Sequence, residues 1–180
     1  MSTGHAHFSP LARFFHWLMA PLVVAMLFIG VGMVATVSQA RLTLIAIHRP
    51  LGIAILLLVA LRFLWRLTHR APPLPADIPA WQRFAALASH WVLYALLFAM
   101  PLIGWAMLSA GGYPVHLFTG FDLPPIVAQD PHTYALLRSA HTWLAMLLFV
   151  TFLAHLAAAM FHGLIRRDGV FSSMARGKRS

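Results

Sequence analysis

From Ser139 to Ile165 the chain carries no Asp, Glu, Lys or Arg. The hydrocarbon core of a bilayer is about 30 Å thick and takes about 20 predominantly apolar residues per helix, so this stretch alone is long enough to cross it. Three further segments meet the same test. The four predicted spans are 10–37, 42–67, 81–108 and 134–164. Composition agrees. Apolar residues make up 61% of the 180 and charged residues only 9%, against roughly 45–50% and about 25% in a soluble domain. The chain lacks the charged surface that would keep it in water. The expected fold is all-α, an integral membrane four-helix bundle, with residues 1–180 forming one domain.

The connections differ in character. Residues 36–41 predict a short turn. Residues 71–80 (APPLPADIPA) are too rich in proline to be helical throughout. Residues 111–132 form a longer loop with room for a short amphipathic stretch. Ser9-Pro10 predicts an N-cap and first-turn proline, and Pro101 predicts a kink in the third span. Arg49 interrupts the second span, and Arg62 and Arg66 end it. Their long stems can carry the charge to opposite interfaces. Ser38-Gln39-Ala40 loosely resembles a cleavage site, but the apolar run before it exceeds the 7–15 residues of a signal sequence. The first span is therefore read as a helix that stays.

Arg and Lys distribution sets the orientation expected from the positive-inside rule. With the N-terminus inside, the inner side holds Arg13, Arg62, Arg66, Arg70, Arg83, Arg166, Arg167, Arg176, Lys178 and Arg179, and the outer side holds Arg41, Arg49 and Arg138. Both termini are expected in the cytoplasm. The net charge of +9 is thus membrane topology rather than a nucleic-acid surface, which would need a soluble basic face. Cysteine is absent, which excludes disulfides, thiolate metal sites, iron–sulfur clusters and haem attached through C-x-x-C-H.

Eleven histidines in 180 residues is the second anomaly. His16, His48, His90, His141 and His155 fall within spans, and His162 near the inner end of the fourth. Polar residues inside spans are rare and usually face the bundle interior. His141 and His155 are fourteen positions apart, which is about 40° short of four full turns and about 21 Å along the axis. Both therefore point to one face at two levels, as two stacked flat cofactors would require. Depth pairs His48 with His141 near the outer side, and offers His16 or His90 as partner to His155 near the inner side. Two bis-histidine haems follow, held without covalent attachment. Zinc would need ligands converging on one point, and a proton relay usually includes Asp or Glu, which no span contains. Gly52, one turn after His48, could make room for a porphyrin or serve close helix packing. Trp17, Trp91 and Trp143 suit interfacial belts. His5, His7, His69, His116 and His132 lie in termini or loops and are read as solvated.

The segments RFFHWLM, AIHRPLGI, SHWVLYALLFAMPLIG and SAHTWLAMLLFVTFLAHLAAAMFHG, with the basic ending ARGKRS, resemble the bacterial cytochrome b561 family of four-helix dihaem cytochromes of the inner membrane. The resemblance covers nearly the whole chain. It implies axial ligation of the inner haem by His16 and His155 and of the outer haem by His48 and His141. It leaves His90 and His162 as neighbours of the inner haem, its propionates or a quinone, or as replacement ligands there. It also implies quinone chemistry. One enzyme of this kind oxidises superoxide on the outer side and reduces ubiquinone in the membrane, and related cytochromes pass electrons from a dehydrogenase or hydrogenase to quinone. Superoxide is a small anion. Arg49 beside His48 and Arg138 one turn before His141 could steer it toward the outer haem, or could pair with propionates or lipid headgroups. A protein partner is possible but not required.

Overall fold

The computed structural model describes residues 7–69, 71–118 and 120–176. His5, Arg70, Lys178 and Arg179, and most of the basic ending, lie outside the described residues. Four long helices run α1 Pro10–Ala35, α2 Gln39–Thr68, α3 Ala80–Ala110 and α4 Pro131–Met160, each apolar and long enough to cross a membrane. Each expected span is present; α2 and α3 extend beyond the apolar run at both ends, and α4 starts three residues earlier than expected and gives way after Met160 to a π-helical turn. Polar or proline residues continue the helical backbone past the apolar limit, as Gln39, Ala40 and Arg41 do at the start of α2. The α1–α2 connection is correspondingly tighter than expected, since only Thr36, Val37 and Ser38 lie outside helix.

The helix starts are chemically marked. Ser9 caps α1, its Oγ accepting from the Ala12 amide at 3.3 Å, with Pro10 in the first turn. Asp130 caps α4, accepting from Thr133 N at 2.7 Å, with Pro131 behind it. Such side-chain acceptors satisfy amides that have no partner in the helix. Pro101 stands inside α3 and removes the donor that would bond the carbonyl one turn earlier. The Pro-rich segment before α3 is held by Arg83, whose guanidinium donates to the carbonyls of Ile78, Pro75 and Ala76.

Three elements were not foreseen. The 111–130 loop contains an antiparallel hairpin, β1 Val115–Phe118 and β2 Phe121–Leu123, with Val115 opposite Leu123 and His116 opposite Asp122. Beyond Met160 the chain continues as a π-helical turn, Phe161–Arg166. It ends at Arg167 and Gly169, both left-handed at φ 54° and 86°, and reverses into a short helix, α5 Val170–Ala175. Gly163 makes that reversal possible. A Cβ there would lie 3.0 Å from the Phe171 ring, so α5 lies directly on the π turn.

Neighbours in sequence pack as α1 on α2, α2 on α3 and α3 on α4. The first and last described segments meet, with Phe8 N donating to Ser173 O at 3.2 Å and Trp17 Nε1 to Met174 O at 3.1 Å. One end of the bundle is therefore the terminal end, with both of these segments and the α2–α3 connection. The other is the hairpin end. The core centres on Met19, Val59 and Tyr94, with Leu56, Leu58, Phe63, Leu97 and Phe98 packed against it. The outward faces stay apolar and exposed, as with Phe28, Trp143 and Ile165 at over 70% exposure each. That is tolerable only against lipid. The expectation that the loop and terminal histidines are solvated fails at His7. Its Nδ1 is buried without a hydrogen-bond partner, because residues 7–9 fold back along α5 rather than trailing into solvent.

Candidate functional site

The four helices bring the span histidines together at two levels. At the hairpin end, His48 of α2 faces His141 of α4, their ring centres 6.3 Å apart and the planes at 68°. Both partly buried rings carry a buried Nδ1 with no hydrogen-bond partner, although the Met100 carbonyl of α3 lies within electrostatic reach of His141. Glycines from the other two helices back the pair. A Cβ on Gly30 of α1 would stand 3.9 Å from His48 Cε1, and one on Gly104 of α3 only 3.3 Å from His141 Cε1. Gly104 is thus what lets α3 pass the His141 ring, while Gly52 faces Met26 of α1 at 3.8 Å and not a histidine. The Arg49 guanidinium donates to the Pro114 carbonyl at 3.2 Å, tying α2 to the start of the hairpin. Arg138 is exposed on α4.

At the terminal end His155 of α4 has two histidine neighbours. His16 of α1 lies 6.3 Å away at 70°, and His90 of α3 lies 5.3 Å away at 78°. The two candidates left open by depth are both present, and their chemistry differs. His90 Nδ1 bonds its own helix at the Ala86 carbonyl, 2.6 Å away, which fixes the ring to α3. Arg62 of α2 completes the level, donating through Nε to the buried Tyr94 hydroxyl at 3.2 Å and through Nη1 to the Ala12 carbonyl at 3.4 Å.

His162 stands apart, making no ring contact with His16 among the described residues. Its Nδ1 lies 2.6 Å from Asp168 Oδ2, and Asp168, only 9% exposed, also accepts from Arg166 Nε at 3.2 Å. Arg166 reaches on to Asp77 at 2.5 Å, so this polar chain ties the α2–α3 connection to the π turn. His116 and Asp122 pair across the hairpin, and His69 stacks on Trp65 with ring centres 3.6 Å apart.

The two 6.3 Å pairs fit one metal between two imidazoles. A metal–nitrogen bond of about 2.0–2.1 Å, plus about 1.1 Å from nitrogen to ring centre, gives about 6.3 Å when doubled. Among the described residues no three His, Cys, Asp or Glu side chains are grouped to hold a metal ion. Two imidazoles suffice only where the rest of the coordination comes from a ring such as a porphyrin. The orphaned Nδ1 atoms and the small residues flanking the outer pair are consistent with that group. Three participants escaped the sequence reading. Gly104 lay in the P-L-I-G stretch, Tyr94 four positions after His90, and Asp168 just past the last span. Only the first carried a visible signal.

Comparison with known proteins gives one answer. The family model for prokaryotic cytochrome b561 matches residues 7–177. Cytochrome b561 homolog 2 of Escherichia coli (strain K12) is 33% identical over 163 residues, which cover 89% of this chain and 86% of the relative. Cytochrome b561 homolog 1 of the same strain is 29% identical over 170 residues, covering 93% and 96%. The probable superoxide oxidase CybB of Yersinia pestis is 32% identical over 134 residues, covering 74% and 75%.

Proposed function

This chain belongs to the prokaryotic cytochrome b561 family, multi-pass membrane proteins of electron transfer that use b-type haem, and on that premise we propose that it is a dihaem superoxide:ubiquinone oxidoreductase. The observation that carries the reading is the pair of opposed histidine couples, His48–His141 and His16–His155, each at 6.3 Å. Their α4 members, His141 and His155, stand on one helix about 21 Å apart. Haem iron, when bound, passes single electrons and so couples a one-electron donor to a two-electron acceptor. Two superoxide ions give up one electron each and leave as dioxygen, and one ubiquinone takes both electrons with two protons to become ubiquinol.

This chain's residues divide the work by level. His48 and His141 hold the outer site, where Arg49 and Arg138 add positive potential that draws a small anion. His16 and His155 hold the inner site. His90, whose ring centre is 5.3 Å from that of His155 against 6.3 Å for His16, is too near to share a metal with His155 and would stand beside the inner site. His162, held by Asp168, faces a cleft of ≈ 280 Å³ whose walls mix Met160, Leu164 and Phe171 with Arg167, Ser172 and Arg176, so that apolar surface for a quinone ring stands beside donors for its oxygens. The excess of Arg at the terminal end supports a reading with both termini in the cytoplasm of a bacterial inner membrane.

The test begins with colour. Purified full-length protein is expected to show a Soret band, about two haems per chain and two low-spin signals. Stopped-flow mixing with superoxide is expected to reduce the haem, and added ubiquinone to reoxidise it. Exposed Tyr113 and Ile126 on the 111–130 loop favour a second reading, an electron-transfer subunit served by a partner dehydrogenase or hydrogenase. Haem that superoxide leaves oxidised would decide for that reading.

A further inference from the structure

We propose that the cleft at the terminal end is a carboxylate seat, in which Arg62, fixed by Tyr94, receives the two propionates of the inner haem. This rests on the reading that places that haem between His16 and His155. The charge inventory carries it. The chain has four acidic residues, and each is engaged elsewhere. Asp77 and Asp168 meet Arg166, Asp122 meets His116, and Asp130 caps α4 at Thr133. No side-chain carboxylate among the described residues pairs with Arg62 or Arg66. Yet Arg62 is drawn into the bundle, bonded to a tyrosine that is 8% exposed and within electrostatic reach of His16, His90 and His155. A cation held there without a counter-ion is costly, and this chain supplies none.

The space beside it is shaped for an oxyanion. A cleft of ≈ 390 Å³ is lined by Arg62, Arg66, Trp65, Tyr94, Ser9 and His7. His7 Nδ1 is buried there with no partner. Trp65 Nε1 already donates to Ser9 Oγ at 3.0 Å, so the cleft wall is fixed before any ligand enters. The shared chemistry is an oxyanion, and two sources could bring it: haem carboxylates or the phosphate of an anionic lipid. The reach of Arg62 to all three histidines favours the haem. A cation held beside those carboxylates also favours the reduced form, which carries one more negative charge.

The experiment uses full-length holoprotein loaded with haem labelled with carbon-13 at its propionate carboxyls. In redox-difference infrared spectra, Arg62→Gln is expected to shift the label-sensitive carboxylate bands. At a fixed ambient potential it should lower the ferrous-to-ferric ratio of the inner haem about tenfold, or 59 mV for one electron, while the outer haem is unmoved. Arg62→Lys should recover most of the ratio. Label-sensitive bands that are identical in the wild type and Arg62→Gln would overturn the seat. Where Arg62→Gln fails to retain the inner haem, Tyr94→Phe decides by the same bands, because it removes only the hydroxyl that fixes the guanidinium. Nanodiscs distinguish the sources. A substitution effect present in phosphatidylglycerol and absent in pure phosphatidylcholine assigns the cleft to an anionic lipid headgroup and sinks the proposal. Protein without haem, or an inner haem that survives His155→Ala, breaks the parent reading instead and is told apart by haem content alone.

Discussion

The two histidine levels are built on different physics. At the hairpin end the couple His48–His141 is backed by glycines from α1 and α3 and has two Nδ1 atoms without partners. At the terminal end His155 sits among His16, His90 and Arg62, with hydrogen bonds already made at Ala86, Tyr94 and Ala12. One level is made by steric room and the other by polar contacts and charge. A site made by room is sensitive to side-chain volume. A site made by charge is sensitive to neutralisation and tolerant of volume.

The largest expected effects come from the ring pairs themselves. His48→Ala or His141→Ala should take the haem content from about two to about one per chain and erase one low-spin signal. His16→Ala or His155→Ala should erase the other. His90→Gln sharpens the comparison. Because the His90 ring centre is only 5.3 Å from that of His155, short of the 6.3 Å that the His16 couple shows, both haems should remain after that change, and loss of the inner one would move ligation from His16 to His90. Next comes volume. Gly104→Leu places a side chain where even a Cβ meets His141 at 3.3 Å. It should cost about 1–3 kcal/mol and release outer haem preferentially on heating. Gly52→Ala meets Met26 at an ordinary 3.8 Å and should stay within about 0.5 kcal/mol. Equal sensitivity at the two glycines would break the contrast.

Charge at the outer level gives a smaller effect, on rate alone. Arg49→Glu together with Arg138→Glu should slow haem reduction by superoxide about tenfold at low ionic strength and flatten its salt dependence. Part of the Arg49 effect should appear as a looser hairpin, since its guanidinium holds the Pro114 carbonyl. An unchanged rate at low salt would remove steering from the outer level.

Much of this was legible in the sequence because membrane spans and helical phase are one-dimensional properties. The absence of charge between Arg138 and Arg166 marks α4, and fourteen positions put His141 and His155 on one face. Depth also pairs His48 with His141 without any tertiary knowledge. It could not choose between His16 and His90, because both lie at similar depth on different helices and only lateral packing sets their distances from His155. The hairpin was hidden because its strands are three and four residues long, too short for an alternating pattern. Asp168 was hidden for another reason. A span search stops at Arg166, while the π turn and the left-handed Arg167 and Gly169 return the chain so that the acid meets His162. His7 was misread because a terminal segment carries no signal of the helix it will lie against.

The smallest effect compares the helix starts rather than the rings. α1 begins at the terminal end under a neutral cap, Ser9, and α4 at the hairpin end under a charged one, Asp130. The hydroxyl and amide of Thr133 hold the Asp130 carboxyl below its ordinary value of 3.8. A carboxyl depressed in the folded state adds stability that is complete above its unfolded value and is lost as pH falls through the folded one. Asp130→Asn should therefore lower the unfolding temperature slightly near neutral pH, and the difference from wild type should shrink toward zero as the pH falls through and below the ordinary carboxyl value of 3.8. Ser9→Ala should give a difference that does not change over the same acid range, since no proton is exchanged at that cap. The Soret band and far-ultraviolet ellipticity, followed together on heating, check both variants. A pH-independent deficit in Asp130→Asn would mean that the cap works through its oxygen alone, and the two helix starts would then be alike.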